Sequence, residues 1–443
     1  MLEITVLGIF VAALLLSAVF GVSVLYALIF GYFVFAGYAL IKHNTVAEIL
    51  KMSFKGVKTV KNVLIVFMLI GMLTALWRAA GTIPFLVVCT SGLIVPSAFI
   101  LFIFLLNCFV SVLTGTSLGT AATSGVISMA MATAAGVNPV YAGGAILSGI
   151  YFGDRCSPMS TSALLVSELT GTDIFDNIKS MIRTSLVPFA AVCVIYLVLG
   201  MNGSGASPDA GLLTLLKESF NLHWLAALPA GIVIILSLFR VNVKKTMMIS
   251  ILTAGIISIF LQGVKLPELF GFLFTGYRIE EPGLAAMMNG GGLLSMVRVS
   301  AIICISSSYS DIFEKTGILQ GIKLRIGRLG QKITPYGGEL VTSLLASMAA
   351  CNQTLGIILT YQLCKDMVYD RKEMALYLEN TAVIVAPLVP WSVACAAPMA
   401  AISAVNVGGC ILFAFYIYLL PAWNLFRNRK RREERVYGNR KTV

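Results

Sequence analysis

The sequence predicts an all-α polytopic membrane protein. The expected architecture is an inverted-topology repeat of about ten transmembrane spans, two re-entrant hairpins and two broken helices. Three observations predict it. Of the 443 residues, 58% are hydrophobic and only 12% are charged, with a mean hydropathy of +0.91, whereas a soluble domain is usually about a quarter charged. Basic residues recur in short clusters between apolar runs, the pattern that marks cytoplasmic loops. Polar, Gly- or Pro-containing breaks interrupt several of the apolar runs. In lipid, such breaks survive only where protein or a water-filled cavity covers the backbone.

Taken in order, Leu2–Ile41 is long enough for two spans and turns near Gly21-Val22-Ser23. Its start has no basic n-region, so no cleavable signal peptide is expected. Lys42 to Lys61 reads as a cytoplasmic loop, which puts the N-terminus inside. Asn62–Ala80 goes out, and Gly81–Pro96 reads as an outer connector. Phe99–Ala135, broken at Gly115–Thr120, is expected to enter and return as a hairpin. Asn138–Phe175, broken at Gly153–Ser162, crosses once, and Asp176–Gly200 goes out.

The second half repeats the pattern with opposite sidedness. Leu222–Phe239 and Thr246–Gln262 flank Arg240, Lys244 and Lys245, Val264–Gly292 is external, and Leu293–Phe313 goes in. Ile318–Ile333 reads as a basic amphipathic segment on the inner surface. Glu339–Met367, with its tip at Cys351–Thr354, is a hairpin from the inside. Glu373–Ala404 is a crossing broken around Pro387–Ser392, and Val405–Trp423 is the last span. Ala75–Gly81 lies over Asp311–Gly317, and Leu118-Gly119 over Leu355-Gly356, in registers that differ by one residue. The expected divisions are residues 1–200, the first repeat; 201–221, an external linker; 222–425, the inverted repeat; and 426–443, a basic cytoplasmic tail.

The breaks carry the candidate site. Helix N-termini offer free N–H groups to an anion, and unwound carbonyls with hydroxyls suit Na⁺. Thr116, Ser117, Thr120, Ser157, Ser160, Thr161, Ser162, Asn352, Gln353, Thr354 and Ser392 supply neutral oxygens and amides there, and Trp391 would wall one side. Each alone is equally a residue that bonds a preceding carbonyl or glues helices. Asp154 is the leading ionisable candidate for binding a cation or carrying a proton. Its bland alternative is a structural pair with Arg155. Glu379 is the second proton-coupling candidate, unless it lies at the inner surface beside Arg371 and Lys372. Gly143, Gly144, Ser148 and Gly149 read as close helix packing. Gly290–Gly292 reads as a flexible connection, since no P-loop Lys-Ser/Thr follows.

The net charge of +12 sits in short loops and the tail, which excludes a nucleic-acid footprint. The nine Cys have no CxxC spacing, and the two His are far apart, so neither a disulfide framework nor a resident metal is expected. No HExxH or GxSxG appears, so an enzyme is not expected, and no nucleotide motif supports an ATP-driven pump. A channel is the rival class to a carrier.

The motifs also resemble a known family. Gly115-Thr116-Ser117, Gly119-Thr120-Ala121-Ala122, Phe152-Gly153-Asp154-Arg155 and Ser157-Pro158 with Ser160 resemble the NhaC Na⁺/H⁺ antiporters of the ion transporter superfamily. So do Met288–Gly292, Phe313–Gly317 and Leu378-Glu379-Asn380 leading to Pro387–Trp391. The resemblance spans Gly71 to Ala404 and implies proton-coupled exchange of Na⁺, with organic acids or amino acids as cargo of some members. Two departures stand out: Thr161 and Asn352 occupy positions where the family usually has Asp. The expectation is a secondary active antiporter, with an ion-coupled carrier of an amino acid or small organic acid as the alternative. H⁺ and Na⁺ are the expected coupling ions, and no cofactor is expected. The expected location is a prokaryotic plasma membrane with both termini cytoplasmic. The expected partners are the bilayer and a small ion or solute, and a homodimer is admitted.

Overall fold

The computed structural model describes residues 2–19, 23–91, 96–202, 210–239, 241–318, 334–350, 352–368 and 370–440. Among them every regular element is helical, and the only bridge pairs Tyr277 with Gly290. Parts of the expected first turn, outer connector and external linker, nearly all of the basic segment 318–333, and Cys351 at the second tip lie outside these residues.

Large apolar side chains are exposed on the surface, and several polar ones are buried beside the apolar core. Phe33, Phe54, Phe239 and Phe260 are largely exposed, while Asn107, Arg155, Glu339 and Glu379 are fully buried. That arrangement fits a hydrocarbon solvent, in which exposed Leu and Phe cost nothing. Lys61–Ala79, Ile174–Met201 and Leu293–Phe313 are each long and apolar enough to cross a membrane. Leu213–Ser219 with Trp224–Leu236, and Arg371–Leu388 with Val393–Ala401, pass the same criterion as pairs bent by 105° and 57°.

The segment read as a loop after Lys42 is a helix, Val46–Thr59. Thr45 and Glu48 close a reciprocal cap, and these donors hold the Glu48 carboxyl below its usual range. Ile49, Met52, Ser53 and Gly56 form its buried face. At Gly56 a Cβ would come within 2.1 Å of Ser307 O, so only glycine lets these two helices meet. Lys55 Nζ reaches Asp311 Oδ1 at 2.6 Å across that junction.

The first hairpin is Phe99–Thr114 followed by Ser117–Ala134, with five π-helical residues, Ala121–Gly125, in the second arm. Gly115, at φ 66°, makes the turn, which an L side chain resists. Asn107 ties the arms together: its amide donates to Ser128 Oγ at 2.9 Å and its oxygen accepts from Ser124 Oγ at 2.8 Å. The first broken helix is Pro139–Cys156 followed by Thr161–Thr170. It starts on an Asn138 cap with proline at the first position. It packs on the hairpin through the small residues expected: a Cβ at Gly149 would lie 2.7 Å from Phe104 O, and one at Gly144 would hit Phe413.

The second hairpin is Pro335–Ala350 followed by Gln353–Cys364. The second broken helix runs Arg371–Asn380, Ala382–Val385 and, after a short 3₁₀ turn, Val393–Ala401. Gly290–Gly292 is not a slack connection. All three residues have positive φ, Gly292 N donates to Gly71 O at 2.7 Å, and Gly291 packs on the backbone of Ala75.

The apolar core forms two large clusters. One gathers Lys61–Ala79, the first hairpin and the first broken helix with residues 230–257 and 394–420. The other gathers the first two helices with the second hairpin and the start of the second broken helix. Each cluster therefore mixes the two halves of the chain.

Candidate functional site

Each interruption restarts a helix on a polar cap. Thr116 Oγ1 accepts from Gly119 N at 3.0 Å, Ser160 Oγ from Ser162 N at 3.2 Å, Asn352 Oδ1 from Thr354 N at 2.9 Å, and Ser392 Oγ from Ala394 N at 3.2 Å. These residues form breaks because their side chains replace backbone partners that the helix loses at its first turn. The elements cross over between halves. The tip of the first hairpin packs on both the first broken helix and Val393–Ala401, and the second hairpin packs on Thr161–Thr170 and Ala382–Val385.

Asp154 occupies the last helical turn before the first break, so the unwound stretch is Ser157–Ser160, narrower than the sequence reading. The carboxylate is buried. Oδ1 accepts from Ser160 Oγ at 3.4 Å; Oδ2 accepts from Ser162 Oγ at 3.3 Å and from Gln353 Nε2 at 3.1 Å. Gln353 also donates to Val383 O at 3.0 Å, so one amide from the second hairpin holds both broken helices. Ser162 donates in addition to Asp154 O at 3.2 Å and shares a bond with Ser160.

Arg155 does not pair with Asp154. Adjacent helical residues point to different sides, and Arg155 turns into a neutral cage. Its Nε donates to Glu379 O, Nη2 to Asn380 Oδ1 and Thr184 Oγ1, and Nη1 to Ser185 Oγ. Met181 O and Tyr416 Oη complete the set. This corrects the structural-pair alternative: Asp154 is anchored by Gln353 and two serines and has no ion-pair partner among the described residues. Glu379 is fully buried, whereas Arg371 and Lys372 are exposed, so it does not sit at a surface with them. Neither of its carboxyl oxygens has a hydrogen-bond partner among the described residues.

Of the other candidates, Ser157 Oγ accepts from Met159 N at 3.2 Å, and buried Thr120 bonds Thr114 Oγ1 at 2.8 Å. Ser117 opens the helix that Thr116 caps, at a tip packed on the helix carrying Asp154. Trp391 is half-buried and donates to Met348 O at 3.2 Å, close to the second hairpin. Thr161 opens its helix and Thr354 is the second residue of its own; both are exposed. Glu339 escaped the sequence reading as a candidate. It is fully buried, with one oxygen accepting from Thr381 Oγ1 at 3.4 Å. An acid within the otherwise uncharged stretch 334–350 was the available signal. A cavity of about 500 Å³ lies at the far ends of the same helices, lined by Glu168, Thr170, Tyr361, Lys365 and Arg371 among others.

Interrupted helices that close around a buried carboxylate at an interior site define a membrane carrier of the secondary active class. Related sequences make that class specific. A profile of the Na⁺/H⁺ antiporter family matches residues 149–424. Among similar proteins, the Na⁺/H⁺ antiporter NhaC of Bacillus subtilis is 30% identical over 83% of this chain and 83% of its own. The malate-2H⁺/Na⁺-lactate antiporter of the same organism is 26% identical over 88% of this chain and 86% of its own. The arginine/ornithine antiporter ArcD of Halobacterium salinarum is 26% identical over 74% and 70%. The chain belongs to the Na⁺/H⁺ antiporter family and is a secondary active transporter of the NhaC type.

Proposed function

We propose that this chain exchanges Na⁺ against H⁺ across a prokaryotic plasma membrane by alternating access, with the two cations competing for Asp154. The observation that carries the reading is the environment of that carboxylate. It is buried, free of any ion-pair partner among the described residues, and held by donors from the first broken helix and the second hairpin. A proton neutralises it directly. Na⁺ takes its place with oxygens from Ser160, Ser162 and the neighbouring cap residues, since the ion needs several oxygen ligands. Gln353 binds Asp154 and Val383 together, so a cation arriving at Asp154 competes with a contact between the moving parts. Glu379 serves as a second proton carrier. The architecture goes with this reading as about ten spans in two inverted repeats, residues 1–200 and 222–425, with both termini cytoplasmic.

A second reading is exchange of a small organic acid or amino acid. Thr161 and Asn352, where the resemblance implies Asp, favour it, as does a set of capped helix N-termini suited to a carboxylate. The test of the leading reading is Asp154→Asn in proteoliposomes. Na⁺-driven proton movement is expected to vanish while the protein stays monodisperse, and wild-type rates would remove Asp154 from the mechanism.

A further inference from the structure

The second hairpin carries an acid that the reading above leaves idle. Glu339 is fully buried; its Oε1 has only a long 3.4 Å contact with Thr381 Oγ1, a hydroxyl that also reaches Tyr377 O at 2.8 Å, and its Oε2 has no partner among the described residues. Two residues before Thr381 stands Glu379, equally buried and bare. The backbone between these acids is pinned from two sides. Arg155 donates to Glu379 O and to Asn380 Oδ1, and Tyr336, one turn from Glu339, donates to Asn380 O at 3.2 Å. The helix is interrupted at Thr381, with φ −121° and ψ −83°.

A bare carboxylate is expensive to bury. Arg155 donates to the main-chain O of Glu379 and to Asn380, and to neither carboxyl group. Each carboxyl is neutral only when it carries a proton. Other titratable groups on the packed elements have bonds of their own: Tyr377 donates to Glu373 and Asn428, Asp311 binds Lys55, and Tyr416 bonds Ser185. Arg427, on the last helix, acts electrostatically on Tyr336.

We propose that Glu339 is a further proton-carrying carboxyl of the exchange cycle, placed beside Thr381 at the interruption of the second broken helix. In the step itself, an O–H bond forms on a carboxylate oxygen as hydronium gives up its proton, and release reverses it; no electrons change hands. Thr381 sits where the helix is interrupted, so a change of charge on Glu339 acts directly on that interruption of the second broken helix. The inference rests on Asp154 as the exchange residue.

The experiment measures cargo-driven proton movement against pH in proteoliposomes for Glu339→Gln, Glu339→Asp, Thr381→Val and Asp154→Asn. Glu339→Gln, which keeps the size, is expected to lose most of the pH dependence, while the shorter but titratable Glu339→Asp retains it. A purely structural role would rank the Gln variant at or above the Asp variant. Thr381→Val removes the hydroxyl next to Glu339, so its profile is expected to shift along the pH axis. A wild-type profile in Glu339→Gln overturns the proposal; if that variant does not reconstitute, an unmoved profile in Thr381→Val overturns it instead. Asp154→Asn separates the two claims. Exchange surviving there sinks the exchange-residue reading, whereas loss there with a normal Glu339→Gln sinks only this inference.

Discussion

Replacing Arg155 by Met keeps the length of the side chain and deletes its charge and donors. The guanidinium is fully buried and serves Glu379 O, Asn380 Oδ1, Thr184 Oγ1, Ser185 Oγ and Met181 O. A hydrogen bond to a charged group is worth about 1.5–3 kcal/mol. The bonds share one side chain and do not add, so the loss is set at about 3–5 kcal/mol, the range for breaking a buried charged network. A double-mutant cycle divides that loss among partners. Arg155→Met with Asn380→Leu should show a coupling of about 1.5–3 kcal/mol, because one charged bond is removed by either change. Arg155→Met with Asp154→Asn should be additive within about 0.5 kcal/mol. The assay is the unfolding free energy of purified protein in one detergent, followed by tryptophan fluorescence across a denaturant series. A strong coupling between positions 154 and 155, with none between 155 and 380, would refute the assignment of Arg155 to the second broken helix.

Gly149→Val should lower stability by about 1–3 kcal/mol by overpacking, since its Cβ would lie 2.7 Å from Phe104 O; an unchanged unfolding midpoint would contradict the packing. Lys55→Met should cost about 1 kcal/mol, a modest loss because the Lys55 side chain is 61% exposed although Asp311 is buried. Asp176→Asn should leave the unfolding midpoint unchanged, because both it and its partner Lys372 are open to solvent; the same unfolding assay separates the two ion pairs. Asn352→Asp should increase the Na⁺ dependence of exchange, read as a lower half-saturating Na⁺ concentration, and an unaltered Na⁺ response would place the second tip away from the ion.

The helical class and the breaks were legible because each rests on local chemistry. Apolar runs with basic flanks mark candidate spans, and Thr116, Ser160, Asn352 and Ser392 are cap residues wherever they occur. Asp154 stood out as an acid in an apolar segment. The direction in which neighbours point was harder to read. Asp154 and Arg155 look like a pair in sequence, but successive helical residues diverge, and only tertiary packing brings Asn380, Thr184 and Tyr416 around the guanidinium. The helix Val46–Thr59 hid among lysines. Its Thr45–Glu48 cap and the spacing of Ile49, Met52, Ser53 and Gly56 were present, but the charge pattern read as a loop. Glu339 was passed over because it opens the hairpin well before the tip at Cys351–Thr354, where the break is marked. Gly290–Gly292 read as slack because a close approach between backbones leaves no trace in sequence beyond the glycines themselves.

The most direct measurement of the central claim is proton movement in proteoliposomes under an imposed pH gradient, with Na⁺ or Li⁺ added alone and then with a panel of small organic acids and amino acids. The account predicts that Na⁺ alone collapses the gradient and that Asp154→Asn abolishes the response. A gradient untouched by Na⁺ and collapsed only by an organic solute would contradict Na⁺/H⁺ competition at Asp154.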